Sequence, residues 1–114
     1  MAKKESVPTR AAADALAVLG SQIRLARHER NWTAANLGAR IGVTARTVTT
    51  IERGSPGVAV GTVFSAAAVV GLQLFGTDNE GLARLRRRGE ERVALIPSRE
   101  YAPRRGEDDD GLDF

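Results

Sequence analysis

The stretch Thr33-Ala34-Ala35-Asn36-Leu37-Gly38-Ala39-Arg40-Ile41-Gly42-Val43-Thr44-Ala45-Arg46-Thr47-Val48-Thr49-Thr50-Ile51-Glu52-Arg53-Gly54 uses one short grammar twice. Thr33 stands where a helix N-cap belongs, with Trp32 before it and Leu37 at the fourth helical position, the spacing of a hydrophobic staple. The predicted helix runs from Ala34 to Arg40 or Ile41, buries Leu37 and Ile41, and stops at Gly42. Val43, the cap Thr44 and Val48 then repeat the pattern. The second helix reaches about Arg53, buries Val48 and Ile51, and is closed by Gly54-Ser55-Pro56-Gly57. Two short capped helices joined by a glycine-bearing turn make a tight helix-turn-helix unit.

Outward from this unit the signals remain helical. From Arg10 to Arg30, Leu16, Leu19, Ile23 and Ala26 share one face; Gly20 marks a place where the helix could weaken or split, and Asn31 ends it. Residues 1–9 read as a disordered arm ending in Pro8-Thr9. On the other side, Val58-Ala59-Val60 reads as extended. A further helix is expected from Gly61 or Thr62, with Val63, Ala67 and Val70 on one stripe and Phe64 and Ala68 beside it. Gly71 interrupts it, and Leu72, Leu74 and Phe75 give a last apolar turn before Gly76. Residues 10–76 are thus expected to be an all-α, five-helix domain. Residues 77–97 read as an extension, with a polar helix from Asp78 to Arg88. After it comes a short strand, Arg92 to Ile96, ended by Pro97. Such a strand would pair with its symmetry mate and make a dimer. Residues 98–114 read as a disordered acidic tail.

Composition narrows the possible functions. The 114-residue chain has room for one small domain plus tails. Domains of about 60 residues bury only about 60% of their unfolded surface, so a second subunit is a natural source of further burial. The chain has no Cys, and its only His is His28, which removes disulfides and the usual zinc ligand sets; no cofactor is expected. No apolar run reaches the roughly 18 residues of a membrane span. Met1-Ala2-Lys3-Lys4-Glu5 leads into a polar stretch, so a cytoplasmic protein is expected. Residues 21–54 carry six arginines against Glu29 and Glu52, a local balance of +4. Residues 107–114 carry five acids and no base, a balance of −5. This asymmetry fits a polyanion-binding body and an acidic segment with another task. No clustered acid, base and nucleophile set and no phosphate-cradling glycine loop is present, so an enzyme is not expected.

The 33–54 string, with its polar cap, Leu37, Gly42-Val43-Thr44, threonine-rich helix and closing Ile51-Glu52-Arg53-Gly54, resembles the XRE/Cro-repressor helix-turn-helix family. The resemblance extends over about residues 12–76 and implies a lambda-repressor-like fold. It narrows at Gly54-Ser55-Pro56-Gly57-Val58-Ala59-Val60-Gly61-Thr62, followed by Val70-Gly71-Leu72. With the acidic stretch ending Asp113-Phe114, that segment looks like the HipB-type antitoxins of HipA-type kinase toxins. That likeness implies a homodimer that represses its own operon and binds a kinase toxin. It also implies that Arg27 and Glu52 form a structural ion pair. The family's frequent Gln is replaced here by Ala34.

The implied mechanism is insertion of the second helix into the major groove of operator DNA, its first residues at base edges. Thr44 caps that helix and can touch phosphate, and Thr33 plays the same part on the helix before it. The Ala45 methyl can meet a thymine methyl, and Arg46 can grip a guanine bidentately. Thr47, Thr49 and Thr50 offer hydroxyls to bases or backbone, although Thr47 could equally bond within the unit. Arg40 and Arg53 are assigned to phosphate, giving affinity without sequence information. Trp32 and His28 read as structural. Arg84, Arg86, Arg87 and Arg88 are open between a solvated face, flanking phosphate and an acidic segment of another subunit. The tail, with Asp108, Asp109, Asp110 and Phe114, is open between a solvating end and a linear motif that docks on a basic partner. Two further functions stay in view: a stand-alone regulator without a toxin, and an interaction adaptor that has lost DNA binding.

Overall fold

The computed structural model describes residues 7–98. The regular elements among them are five α-helices: α1 (Arg10–Glu29), α2 (Ala34–Ile41), α3 (Ala45–Glu52), α4 (Val60–Val69) and α5 (Asn79–Ala94). Short polar side chains set most of the starts. Thr9 accepts from the Ala12 N–H at 3.1 Å and opens α1. Thr33 accepts from the Asn36 N–H at 3.0 Å while the Asn36 side-chain oxygen accepts from the Thr33 N–H at 2.9 Å, a reciprocal box that opens α2. Thr44 accepts from the Thr47 N–H at 3.1 Å and opens α3, and Asp78 accepts from the Gly81 N–H at 2.8 Å and opens α5. Each cap satisfies a backbone donor that the helix itself leaves unpaired.

α1 runs unbroken through Gly20. A Cβ at Gly20 would stand 2.6 Å from the Glu52 carbonyl oxygen and 2.7 Å from that of Ile51, so the bare residue is where the end of α3 lies against α1. The expected weak point is a seat for close packing. The turn between α2 and α3 rests on Gly42, whose φ of 79° is the left-handed conformation that side chains resist. Asn31, at φ 60°, ends α1 in the same manner.

Ile23 of α1, Leu37 of α2, Val48 and Ile51 of α3, and Val63, Ala66, Ala67 and Val70 in and after α4 form the buried core. Ile41, Trp32, Leu72 and Leu74 are half-buried against it. Large side chains are few here, and alanines on α4 let the backbones approach closely.

Three expectations need correction. The apolar turn after Gly71 is not helical, and residues 10–76 contain four helices. Gly71 at φ 91° stops α4, and the Leu72 N–H closes back on the Ala67 carbonyl at 3.0 Å. Phe75 and Gly76 are again left-handed, at φ 56° and 73°. A few residues between two such stops cannot meet the cost of starting a helix. The fifth helix is α5, and it also consumes the predicted strand. Arg92, Val93 and Ala94 are its last turn, and the Leu95 and Ile96 N–H groups bond to the Arg92 and Val93 carbonyls at 3.1 and 3.0 Å. The Arg- and Glu-rich sequence ahead of them has high helix propensity and carries the helix forward to Ala94, with Leu95 and Ile96 closing it in i→i+3 turns before Pro97. Val60, assigned to an extended segment, is the first residue of α4.

The chain divides after Gly76 into two units, with α1–α4 in the first and α5 in the second. Most of the predicted arm and nearly all of the predicted acidic tail, including Asp108, Asp109, Asp110 and Phe114, lie outside the described residues.

Candidate nucleic-acid interface

The inward side of α3 is fixed by Val48, fully buried, and Ile51, 3% exposed. With those positions taken, the 3.6-residue period turns Ala45, Arg46 and Thr49 outward, and all three are exposed, as are the caps Thr44 and Arg53. Thr47 and Thr50 lie at the margin, half-buried. Neither the Arg46 nor the Arg53 side chain has a hydrogen bond or ion pair among the described residues. Both cations therefore face outward without a neutralising neighbour.

The threonines are already partly engaged. Thr44 Oγ1 lies 3.2 Å from Thr47 Oγ1. The hydroxyl of Thr49 donates to the Ala45 carbonyl at 3.1 Å, and that of Thr50 donates to the Arg46 carbonyl at 3.0 Å. With their protons turned inward, these two oxygens present lone pairs outward. They are fitted to accept from a donor such as a base amino group, which refines the dual role assigned from sequence.

α3 is held against α1 by a dense polar clamp. Arg27 Nε donates to Glu52 Oε2 at 2.7 Å, Nη2 donates to Oε1 at 2.9 Å, and Nη1 donates to the Trp32 carbonyl at 2.9 Å. The two side chains are 9% and 6% exposed. The Glu52 hydrogen bond pushes the Arg27 guanidinium above its ordinary pKa; burial pulls the other way, and the Glu52 charge adds to the upward shift. The arginine is therefore charged whenever the protein is folded. A buried bidentate pair of this kind ties the end of α3, the end of α1 and the turn at Trp32 into one fixed geometry.

Arg40 is placed by a contact that sequence spacing did not reveal. Its guanidinium carbon lies 3.9 Å from the centroid of the Trp32 ring, and that of Arg30 lies 5.3 Å away. Arg30 is further anchored by Nε donation to the Val70 carbonyl at 3.0 Å. The stacked Arg40 guanidinium has no hydrogen bond or ion pair among the described residues, so its edge donors stay available. A tryptophan eight positions from an arginine across a helix start has no recognisable sequence spacing. The only available signal was the pairing of residue types.

Thr33, Arg40, Thr44, Ala45, Arg46, Thr49 and Arg53 are thus all exposed residues of the α2–α3 unit. Arg27 and Glu52 meet beneath it. No curated protein matches the chain. The family model described as a helix-turn-helix domain matches residues 18–85, from within α1 to within α5 and over more than half of the sequence. By the match and by the two capped helices at its centre, the chain belongs to the helix-turn-helix domain family.

Proposed function

We propose that this chain is a sequence-specific DNA-binding transcriptional repressor that places α3 in the major groove. One observation carries the reading. The face of α3 opposite Val48 and Ile51 bears Arg46, Thr49 and Arg53, exposed and uncompensated, on a helix whose pose is locked by Arg27 and Glu52. Arg46 reads a base edge, most naturally guanine N7 and O6. Thr49 accepts from a base amino group. Arg53 and Arg40 bind phosphate, and the first N–H groups of α3 add a favourable dipole for an anion. The repressor acts as a homodimer, which sets two recognition helices roughly 34 Å apart, one turn of duplex.

Within this reading the chain is the antitoxin of a HipBA-like module, with a HipA-like kinase toxin as partner. The support is the resemblance of Gly54–Thr62 and the acidic residues Asp108, Asp109 and Asp110 followed by Phe114, a combination suited to a basic, partly apolar docking site. A stand-alone regulator would lack the toxin partner. An interaction adaptor without DNA binding is disfavoured by the uncompensated Arg46 and Arg53.

The test is a pair of substitutions measured on specific and random duplexes across a salt series. Arg46→Ala is expected to lower the specific-to-random affinity ratio, by about 5- to 150-fold for the 1–3 kcal/mol of one bidentate base contact. Arg53→Ala should weaken both duplexes alike and flatten the salt slope. Equal loss on both duplexes with Arg46→Ala would remove its base-reading role.

A further inference from the structure

α5 carries an apolar stripe that the protomer leaves exposed. Leu85 is 42% exposed, Val93 63% and Ile96 65%, while Leu82 is half-buried. At about 100° per residue, positions 82, 85, 89 and 93 of α5 fall within a strip about 80° wide, and Ile96 follows in the turn just past the helix end. The stripe is a palindrome about Gly89. Leu85 and Val93 lie four residues to either side of it, and Leu82 and Ile96 seven to either side. A Cβ at Gly89 would meet nothing within 4 Å, so the centre of the stripe is open for close approach by another backbone.

We propose that α5 pairs with α5 of a second copy in antiparallel orientation, with the two-fold axis at Gly89. This rests on the dimeric repressor reading and replaces the strand pairing that the helix rules out. A two-fold contact must be self-complementary, and this stripe is so only when the helices run in opposite directions: Leu85 meets the second copy's Val93, Leu82 its Ile96, and the glycines cross. Charge beside the stripe agrees on one flank. Arg86 and Glu90, already 3.1 Å apart within one helix, lie where each can reach the opposite charge across the axis. On the other flank Arg88 and Arg92 of both copies gather. This opposes association and makes a basic ridge suited to a polyanion. Exposed charges are weak and screened, so the apolar stripe decides the pairing.

The chain has no Cys, so single engineered thiols report register cleanly. The full chain would be studied by sedimentation and by mild oxidation. Leu85→Glu and Val93→Lys singly should weaken dimerisation at least about tenfold, by burying a charge in the stripe. The double variant should restore it, because Glu at 85 then faces Lys at 93. Leu85→Cys mixed with Val93→Cys should cross-link between the two variants, while Leu85→Cys alone should not. Overturning results are an undisturbed dimer in both charge variants, no restoration in the double variant, and self-cross-linking of Leu85→Cys, which indicates parallel helices. A chain that stays monomeric at all concentrations, its stripe covered by another protein, overturns it too. Half-site binding by a monomeric variant separates this proposal from the DNA-binding reading: its retention leaves the latter standing, and its loss with the fold intact counts against the latter.

Discussion

Arg27 is the residue on which the presentation of α3 depends. Its guanidinium spends its donors on both Glu52 oxygens and on the Trp32 carbonyl, in a site nearly closed to water. Removing one partner leaves the other charge buried and alone, which costs far more than the pair contributes in net terms. Arg27→Ala and Glu52→Ala are each expected to destabilise the fold by about 3–5 kcal/mol in urea titrations. Arg27→Met with Glu52→Leu should recover most of that loss. A surface-like change below about 1 kcal/mol in either single variant would show that the clamp is solvated in solution. Arg46 stands at the other extreme, its exposed side chain without a partner among the described residues. Its substitution should leave stability within about 0.5 kcal/mol, so any DNA-binding defect can be read without a folding correction.

Helices α2 and α3 were legible because their signals are local. A threonine three residues before a backbone donor, an apolar residue at the fourth position and a glycine at the stop specify a capped helix without knowledge of the fold. Thr44→Ala should therefore cost about 1 kcal/mol of stability, as loss of a cap does, and weaken DNA binding by fraying the end proposed to enter the groove. Thr44→Ser should retain most of both. What depends on distant partners was less readable. Gly20 looked like a weakness because the carbonyls of Ile51 and Glu52 that fill its missing Cβ are more than thirty residues away. Gly20→Val is expected to separate α1 from α3, with loss of cooperative unfolding or a fall of several °C in Tm. Likewise Arg92 to Ile96 resembled a strand in isolation, yet a helix already under way needs only one more hydrogen bond per residue to continue. The Arg27–Glu52 pairing spans 25 positions, and only the family resemblance pointed to it; the Arg40–Trp32 stack had no such guide.

At the scale of the whole molecule, the groups proposed to read DNA and the groups proposed to join copies occupy separate parts of the chain. The outward residues of α3 belong to the first unit and the exposed stripe of α5 to the second. Deleting residues 107–114 should leave half-site affinity within about twofold while abolishing capture of the kinase toxin proposed as partner, since opposite charge and an apolar anchor would supply such docking. Complete loss of DNA binding on truncation would end the modular view. The same layout offers an optical readout. Trp32 is the only tryptophan, and its ring carries the Arg40 guanidinium at 3.9 Å. Any drawing of that cation toward a phosphate strips charge from the face of the one indole fluorophore. Unlabelled protein titrated with duplex should then change its emission, and Arg40→Ala should silence the signal while sparing the fold.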